Sequence, residues 1–240
     1  MSLDEQLEAV ARLYDSSKDF DYHLIRYNFR FMQDRLRGPR ILEMGCANGV
    51  MTERLSAHFP AVDVVDGSEI YLKDVSNRLR KRKNIRYFHS LFESFAPVDR
   101  YNSIIMARVL EHLIDPVRML RTVAEWLEPN GQVHIVVPNA LSLHRRIGVA
   151  MGLIPSCDSL DERDLQVGHK RVYGIETIRT DVESAGLVVR DLAGIFLKPL
   201  SNAQMEKWEG KILDALFEVG KDLPNYCAEI YVACSLGEKP

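Results

Sequence analysis

A glycine-containing loop between a strand and a helix is the segment of this chain best suited to binding a small ligand. Gly45–Gly49, with the sequence GCANG, follows the apolar run Arg40–Met44 and leads directly into Val50–His58. Small residues let the backbone approach a ligand closely, and a helix N-terminus offers backbone N–H groups that have no partner within the helix. Glu43 precedes the loop. Its carboxylate suits a ligand with a positive charge better than a pyrophosphate.

A second acid, Asp66, ends the next apolar run, Ala61–Val65. A carboxylate at this place in a strand–loop–helix unit can accept hydrogen bonds from both hydroxyls of a ribose. Alone, Asp66 before Gly67 would suit an ordinary turn. Together with the glycine loop, it predicts a nucleoside-type ligand across the carboxyl ends of neighbouring strands. The spacing of Gly45 and Gly49 is not the G-x-G-x-x-G of dinucleotide-binding loops.

The elements that must position these residues alternate along the chain. Almost entirely apolar runs predict strands at Arg40–Met44, Ala61–Val65, Ile85–Phe88, Tyr101–Ala107 and Gln132–Val137. Between them, the spacing of apolar residues predicts helices at Val50–His58, Ile70–Arg80 and Pro116–Leu127. This alternation is typical of an α/β fold with a parallel sheet covered by helices on both faces.

The chain before and after this unit has a different organisation. Residues 1–38 predict a helical cap, in which an apolar stripe from Tyr22 to Leu36 suits either packing on the sheet or a lid over a ligand. Residues 39–240 form the main domain, with a helical insertion near 198–224 that packs on the body or on a second copy. The remaining predicted elements are a helix at Leu141–Met151, a polar loop at Pro155–Arg171, a helix at Ile175–Ser184, and strands at Leu187–Leu192 and Ala228–Ala233.

Composition narrows the class of protein. The 240 residues are 46% hydrophobic and 27% charged, which is ordinary for a chain with a buried core. A formal net charge of −3 argues against a nucleic-acid partner. No apolar run is long enough to cross a membrane, and the acidic N-terminus does not resemble a secretory signal. We therefore expect a cytoplasmic enzyme, monomeric or homodimeric, with four free cysteines.

Five segments resemble, in order, the motifs of the class I S-adenosylmethionine-dependent methyltransferases. EMGCANG and VVDGS are similar to the first two motifs, and Arg100–Leu120 is similar to the fourth strand with the LEH signature after it. Trp126–Arg146 resembles the L-x-P-x-G turn, fifth strand and V-P-N element. Gly168–Val189 looks like the branch that modifies sugars and small molecules. The resemblance covers roughly Arg40–Leu192, and it implies a Rossmann-like, seven-stranded, mostly parallel sheet whose last strand is antiparallel.

The resemblance also implies S-adenosylmethionine as the cofactor and assigns its contacts residue by residue. The loop residues would hold the methionine half, Asp66 the ribose, the turn after the third strand the adenine, and the end of the fourth strand would lie near the sulfonium. The cofactor-binding residues expected from these matches are Glu43, Gly45, Cys46, Ala47, Asn48, Gly49, Asp66, Gly67, Ser68, Ser90, Leu91, Phe92, Ala107 and Arg108. Leu91 stands where the family has an acid for the adenine amine. Arg108 is unexpected beside a positive sulfonium, and we expect it to point outward or to bind an acidic group of the substrate.

Methyl transfer requires alignment of the acceptor with the methyl carbon, and a hydroxyl or ammonium acceptor must also lose a proton. A neutral histidine suits that step, because its unperturbed pKa of roughly 6.5 lies near working pH. Three histidines follow strands or loops at the carboxyl edge of the sheet. His169 is the first candidate base and His144 the second, while His112 in the LEH signature is equally suited to an architectural role. Positioning without a base stays open.

The substrate is predicted from cations expected around the pocket mouth. Arg145, Lys170 and Arg171, with the neighbouring Arg146, would bind a phosphate or carboxylate, or would simply be solvated. We therefore expect methylation on oxygen or nitrogen of a small anionic metabolite such as a sugar derivative.

No metal is expected. Glu111, His112 and His144 supply part of the E-x-x-E-H-plus-histidine set of the small-RNA 2′-O-methyltransferases. Arg108, however, takes the place of the first glutamate. The alternatives are a nicotinamide-dependent dehydrogenase and a non-catalytic protein that binds a cofactor or a partner.

Overall fold

The computed structural model describes residues 3–237; residues 1–2 and 238–240, which the predicted cap and main domain include, lie outside the described residues. A single seven-stranded sheet has the order β3-β2-β1-β4-β5-β7-β6. Its strands are β1 Arg40–Met44, β2 Ala61–Asp66, β3 Ile85–His89, β4 Tyr101–Ala107, β5 Leu127–Pro138, β6 Leu187–Ile195 and β7 Glu229–Leu236. β1 to β5 pair in parallel, and β7 is antiparallel to both β5 and β6. The predicted Rossmann-like α/β fold, with its antiparallel last strand, is confirmed.

Helices connect and cover the strands. They are α1 Leu3–Leu13, α2 Asp21–Met32, α3 Val50–His58, α4 Glu69–Arg78, α5 Pro116–Glu125, α6 Leu143–Ala150, α7 Glu162–Gln166, α8 Ile175–Ser184, α9 Asn202–Met205 and α10 Gly210–Gly220. Short 3₁₀ turns follow β3 at Phe92–Ser94 and β4 at Leu110–His112, and a third precedes β7 at Pro224–Tyr226.

Two hydrophobic clusters lie on opposite faces of the sheet. Ile41 and Leu42, neighbours on β1, are both fully buried, the first in the cluster under α2, α3, α4 and α10 and the second in the cluster under α5 and α8. Successive side chains of a strand point to opposite faces, so a strand covered on both sides must be apolar at every position. Burying each such side chain contributes roughly 1.5–3 kcal/mol.

Several element bounds differ from the sequence-based expectations. The helical region before β1 is two helices, and residues 14–20 separate them. The predicted loop Pro155–Arg171 contains α7, whose first turn is capped reciprocally by Asp161 and Asp164. β5 begins at Leu127 because that residue pairs with Tyr101 before a register shift.

The N-terminal helices cover the carboxyl edge of the sheet. α2 packs on α3 and β6, and α1 packs on α4. α9 and α10 lie within the segment 198–224, and the division into a cap and a main domain remains a prediction. In the part of the chain that the structure describes, no helix has the length and apolar character needed to span a bilayer.

Candidate active site

A cavity of about 830 Å³ lies where β1, β2 and β4 end. Its walls come from the glycine loop, from the N-terminal helices and from the segment that carries α6 and α7. Small-molecule sites commonly enclose about 300–1,000 Å³. The cavity is therefore large enough for a nucleoside-type ligand.

The glycine loop approaches the cavity in a conformation that needs its glycines. Gly45 has φ +77°, and a Cβ there would lie 3.2 Å from Val109 Cγ2. Gly49 has φ +68°, and a Cβ there would meet Val75 Cγ1 at 2.7 Å. Residues other than glycine rarely adopt a backbone conformation with positive φ. These two residues let Cys46 and Ala47 line the cavity with backbone at close range.

Asp66 connects the loop to the end of β2. Its Oδ2 accepts from the Cys46 N–H at 2.8 Å and its Oδ1 accepts from the Ser68 N–H at 2.8 Å. Burial raises the pKa of this carboxyl, although those N–H donors oppose the shift. Asp66 lines the cavity and is 8% exposed, so lone pairs remain for hydroxyl donors of a ligand.

Glu43 is the other acidic residue beside the loop. It is 2% exposed, lines the cavity, and its Oε2 has no hydrogen-bond partner among the described residues. Burial raises its pKa to about 8. An unsatisfied buried carboxyl is costly unless a donor or a cation reaches it. The pair Glu43 and Asp66 therefore fits a ligand that carries both a ribose and a positive charge.

The structure brings most predicted site residues to this one cavity. Those that line it are Glu43, Gly45, Cys46, Ala47, Asp66, Gly67, Leu91, Phe92, Ala107, Arg108, His112, His144, Arg145, His169 and Lys170. Those that it places elsewhere are Asn48, Gly49, Ser68, Ser90 and Arg171.

Three of the displaced residues have structural partners instead. Asn48 Oδ1 accepts from the backbone N–H of Ser16 at 2.9 Å. The Ser68 hydroxyl caps α4 and donates to Glu8 at 2.9 Å. The Ser90 hydroxyl donates to a backbone carbonyl. The cofactor contacts expected of these three residues stay predictions, because they do not line the cavity.

Arg108 does not point outward. Its guanidinium lies 3.0 Å from Asp21 Oδ1 and 3.4 Å from Glu229 Oε1, and both acids are 2% exposed. Arg108 has φ +60°, a strained conformation for a long side chain. It is held there by the backbone hydrogen bond from its N–H to the Val136 carbonyl. Arg108, expected to be a free cation, instead forms ion pairs within the protein.

The other predicted cations also have partners. The Arg145 guanidinium is buried, donates to the carbonyls of Cys157 and Ser159, and lies 3.2 Å from Asp164. The Arg171 guanidinium donates to backbone carbonyls of the turn after β4, and Arg171 is not among the residues that line the cavity. These two arginines hold the segment around α7 in place. Arg146 lies over the Tyr226 ring, and Lys170 is exposed at the cavity.

His169 and Asp164 form a hydrogen-bonded pair that lines the cavity. His169 Nδ1 is 2.9 Å from Asp164 Oδ1, while Nε2 is 4.0 Å from Glu111 Oε1. Burial would raise the pKa of Asp164, but hydrogen bonds from His169 and the Asp161 N–H hold it at about 2. A carboxylate on Nδ1 fixes the tautomer that leaves Nε2 free to accept a proton.

The other two candidate histidines are kept neutral by burial. Desolvation lowers the pKa of His112 to about 3 and that of His144 to about 2. The His112 ring centre lies 4.7 Å from that of His169. One ligand atom from each of Glu111, His112 and His169 falls within 4.8 Å of the others, so this set could also hold a metal ion. The second histidine of this set is His169, whereas the sequence comparison with metal-binding methyltransferases pointed to His144.

Sequence reasoning missed seven charged residues of the cavity lining. They are Asp21, Glu93, Asp161, Arg163, Asp164, Lys198 and Glu229. Asp21 and Glu229 belong to the cavity because they are the ion-pair partners of Arg108. Arg163 lies 2.9 Å from Asp21. The only local signal was a charged residue inside or beside an apolar run.

Comparisons with known proteins agree with this geometry. Residues 19–192 match a family model described as a methyltransferase domain. A ubiquinone biosynthesis O-methyltransferase of Aeromonas salmonicida is 30% identical over 203 residues, covering 81% of this chain and 76% of that protein. One from Coxiella burnetii is 26% identical, covering 84% and 92%.

A solved structure with the same fold is the N-methyltransferase from Bradyrhizobium japonicum in complex with S-adenosyl-L-homocysteine. The TM-score is 0.64 at 16% identity, covering 97% of this chain and 99% of that one. The matched region runs from α2 through the glycine loop and Asp66 to β6. The chain thus belongs to the class I S-adenosylmethionine-dependent methyltransferases.

Proposed function

We propose that the protein methylates a hydroxyl oxygen of a small anionic molecule. The observation that carries the proposal is a single cavity lined both by the glycine loop and Asp66 and by a hydrogen-bonded histidine–carboxylate pair. The curated relatives carry the name of O-methyltransferases, which favours oxygen over nitrogen as the acceptor. They do not favour a sugar derivative over other small molecules.

The cofactor end is assigned to residues whose geometry suits each part of the ligand. When bound, S-adenosylmethionine supplies a methyl carbon activated by its sulfonium. Asp66 binds the ribose hydroxyls, and Glu43 lies where a positive group would satisfy its unpaired oxygen. Leu91 and Phe92 contribute an apolar wall.

His169 is the proposed proton acceptor. The Asp164 carboxylate holds its Nδ1, which leaves Nε2 to take the proton from the acceptor hydroxyl. His112 and His144 are weaker candidates, because burial keeps each of them neutral and poorly basic. A general base typically contributes about 10²–10⁴-fold to the rate. We expect His169→Asn to lower kcat by a factor in this range while the affinity for S-adenosylmethionine is unchanged.

Calorimetric titration tests the cofactor assignment. Wild type and Asp66→Ala are titrated with S-adenosylmethionine, S-adenosylhomocysteine and NADH. Binding of the first two, weakened in the variant, supports methyl transfer. Binding of NADH instead would support a dehydrogenase. Release of S-adenosylhomocysteine is then measured with a panel of hydroxylated acids and amines, and absence of turnover with every acceptor would favour a binding protein.

A metal-assisted variant of the same reaction is the second candidate, favoured by the proximity of Glu111, His112 and His169. The S-adenosylhomocysteine release assay is repeated after treatment with a chelator and after addition of Mg²⁺ or Zn²⁺. Activity that survives metal removal supports His169 as a base. Activity that returns only with the ion supports the metal-assisted route.

A further inference from the structure

Lys198 is a buried lysine whose ammonium group faces the cavity. It follows β6 in the sequence Phe196-Leu197-Lys198-Pro199, and it is 7% exposed. Its carbonyl accepts from the His144 N–H at 3.0 Å, so its backbone is fixed beside His144. Among residues 3–237, its Nζ has no hydrogen bond and no ion pair, although it lines the cavity.

The buried arginines of the cavity are already neutralised. Arg108 pairs with Asp21 and Glu229, and Arg145 pairs with Asp164. Arg163, half-exposed, pairs with Asp19 and Asp21. Lys170 is exposed, so water can solvate its charge. Of the described cations that line the cavity, Lys198 alone combines burial with the lack of a partner.

A buried ammonium without a hydrogen bond or a contact ion pair is costly, because it loses hydration that no direct partner replaces. Burial accordingly lowers the pKa of Lys198 to about 8, and Arg108 and Arg163 oppose its charge while Asp21 and Glu229 favour it. An anionic group in the cavity would remove this cost. Because Asp21 and Glu229 would repel a second negative charge more than a first, a singly charged carboxylate is the group that we propose here.

We propose that Lys198 binds a carboxylate of the acceptor and thereby selects acidic acceptors. This inference rests on the proposed function and names the cation that recognises the substrate. Lysine suits the role as a compact charge that a single carboxylate oxygen can approach. It replaces the predicted Arg145 and Arg171, whose guanidinium groups are used within the fold.

The test uses matched pairs of probes that differ in charge but not in shape. Protein loaded with S-adenosylhomocysteine is titrated with acetate and acetamide, benzoate and benzamide, and 3,4-dihydroxybenzoate and its amide. For at least one pair, we expect wild type to bind the acid about tenfold more tightly, as for one charge-assisted hydrogen bond. Lys198→Met should abolish the preference and Lys198→Arg should retain part of it. Lys211→Met, an exposed lysine of α10, should leave it unchanged.

Two further measurements separate loss of carboxylate binding from loss of the fold. S-adenosylhomocysteine affinity reports whether Lys198→Met is folded. In wild type, the preference for acids should fade above about pH 8 as the ammonium loses its proton. No preference in any pair, a preference that survives Lys198→Met, or one that does not fade with pH would overturn the proposal. Failure of wild type to bind S-adenosylhomocysteine would instead count against the proposed function, and the pairs would then be titrated against the unliganded protein.

Discussion

At the scale of single residues, the protonation state of a buried carboxyl in this cavity depends on whether a cation lies beside it. Glu43 and Asp21 are each 2% exposed. Burial alone would raise the pKa of both. It does so for Glu43, but Arg108 holds the pKa of Asp21 below its usual range. A neutral acid and an ionised acid therefore line the same cavity.

The neutral state of Glu43 predicts proton release on cofactor binding. Its pKa is raised to about 8, so the carboxyl is largely protonated at pH 7. S-adenosylmethionine carries a positive charge that favours the ionised form. We expect binding at pH 7 to release a fraction of a proton, measured by calorimetry in buffers of different ionisation enthalpy. Glu43→Gln should remove this release, and Glu53→Gln, an exposed acid on α3, should not. Equal release in both variants would contradict the assignment.

The same residue predicts a pH dependence of stability. In the unfolded chain Glu43 ionises near its ordinary pKa of 4.5, whereas in the fold it stays protonated up to about pH 8. The unfolded state therefore binds fewer protons between these values, and this contribution to the free energy of unfolding falls as pH rises. Glu43→Gln should lose that fall. Urea denaturation of the unliganded protein from pH 5 to pH 8.5 measures it, and parallel curves for variant and wild type would exclude this role.

For whole elements, Glu8 connects α1 to the N-terminus of α4 beside the cavity. Glu8 accepts from the Glu69 N–H at 2.7 Å and from the Ser68 hydroxyl at 2.9 Å, at the N-terminus of α4. A carboxylate is favourable there because it meets unpaired N–H groups and the positive end of the helix dipole. The contact places Leu7 and Val10 against the cavity.

Removing this contact should loosen α1. Loss of a capping interaction costs roughly 1 kcal/mol, a factor of about 5 in an equilibrium. We expect Glu8→Ala to speed S-adenosylhomocysteine dissociation about fivefold, measured by stopped flow, and to increase hydrogen exchange in α1. Arg12→Ala, exposed on the same helix, is the control. An unchanged dissociation rate would show that α1 does not limit ligand release.

The elements also show what the sequence could predict. The strands of the parallel sheet were predictable because burial on both faces requires continuous apolar runs. The glycine loop was predictable because its backbone conformation needs Gly45 and Gly49. α7 was missed because five residues are too few to show helical spacing. Lys198 was missed because burial without a partner is a tertiary property. Arg145 was placed at the rim because a sequence does not show which cation another segment will neutralise.

On the scale of the whole molecule, one ion-pair network joins three distant parts of the chain. Arg108 at the end of β4 contacts Asp21 at the start of α2 and Glu229 at the start of β7. Asp21 also accepts from the Tyr14 hydroxyl at 2.7 Å. The network thus fixes the start of α2 to the ends of strands that border the cavity.

Arg108→Met should therefore destabilise the whole fold. Removing one partner of a buried pair leaves uncompensated charge and typically costs about 3–5 kcal/mol. Burial already raises the pKa of Glu229, and loss of Arg108 would raise it further. The penalty from Glu229 is present at pH 7.5 and diminishes as pH falls through its folded pKa and the acid becomes neutral. Urea denaturation at pH 7.5 and pH 5 measures both effects. Arg30→Met, which removes exposed pairs with Asp214 and Glu218, should cost about 1 kcal/mol or less. If the two variants lose the same stability at pH 7.5, Arg108 does not hold the start of α2 to the sheet.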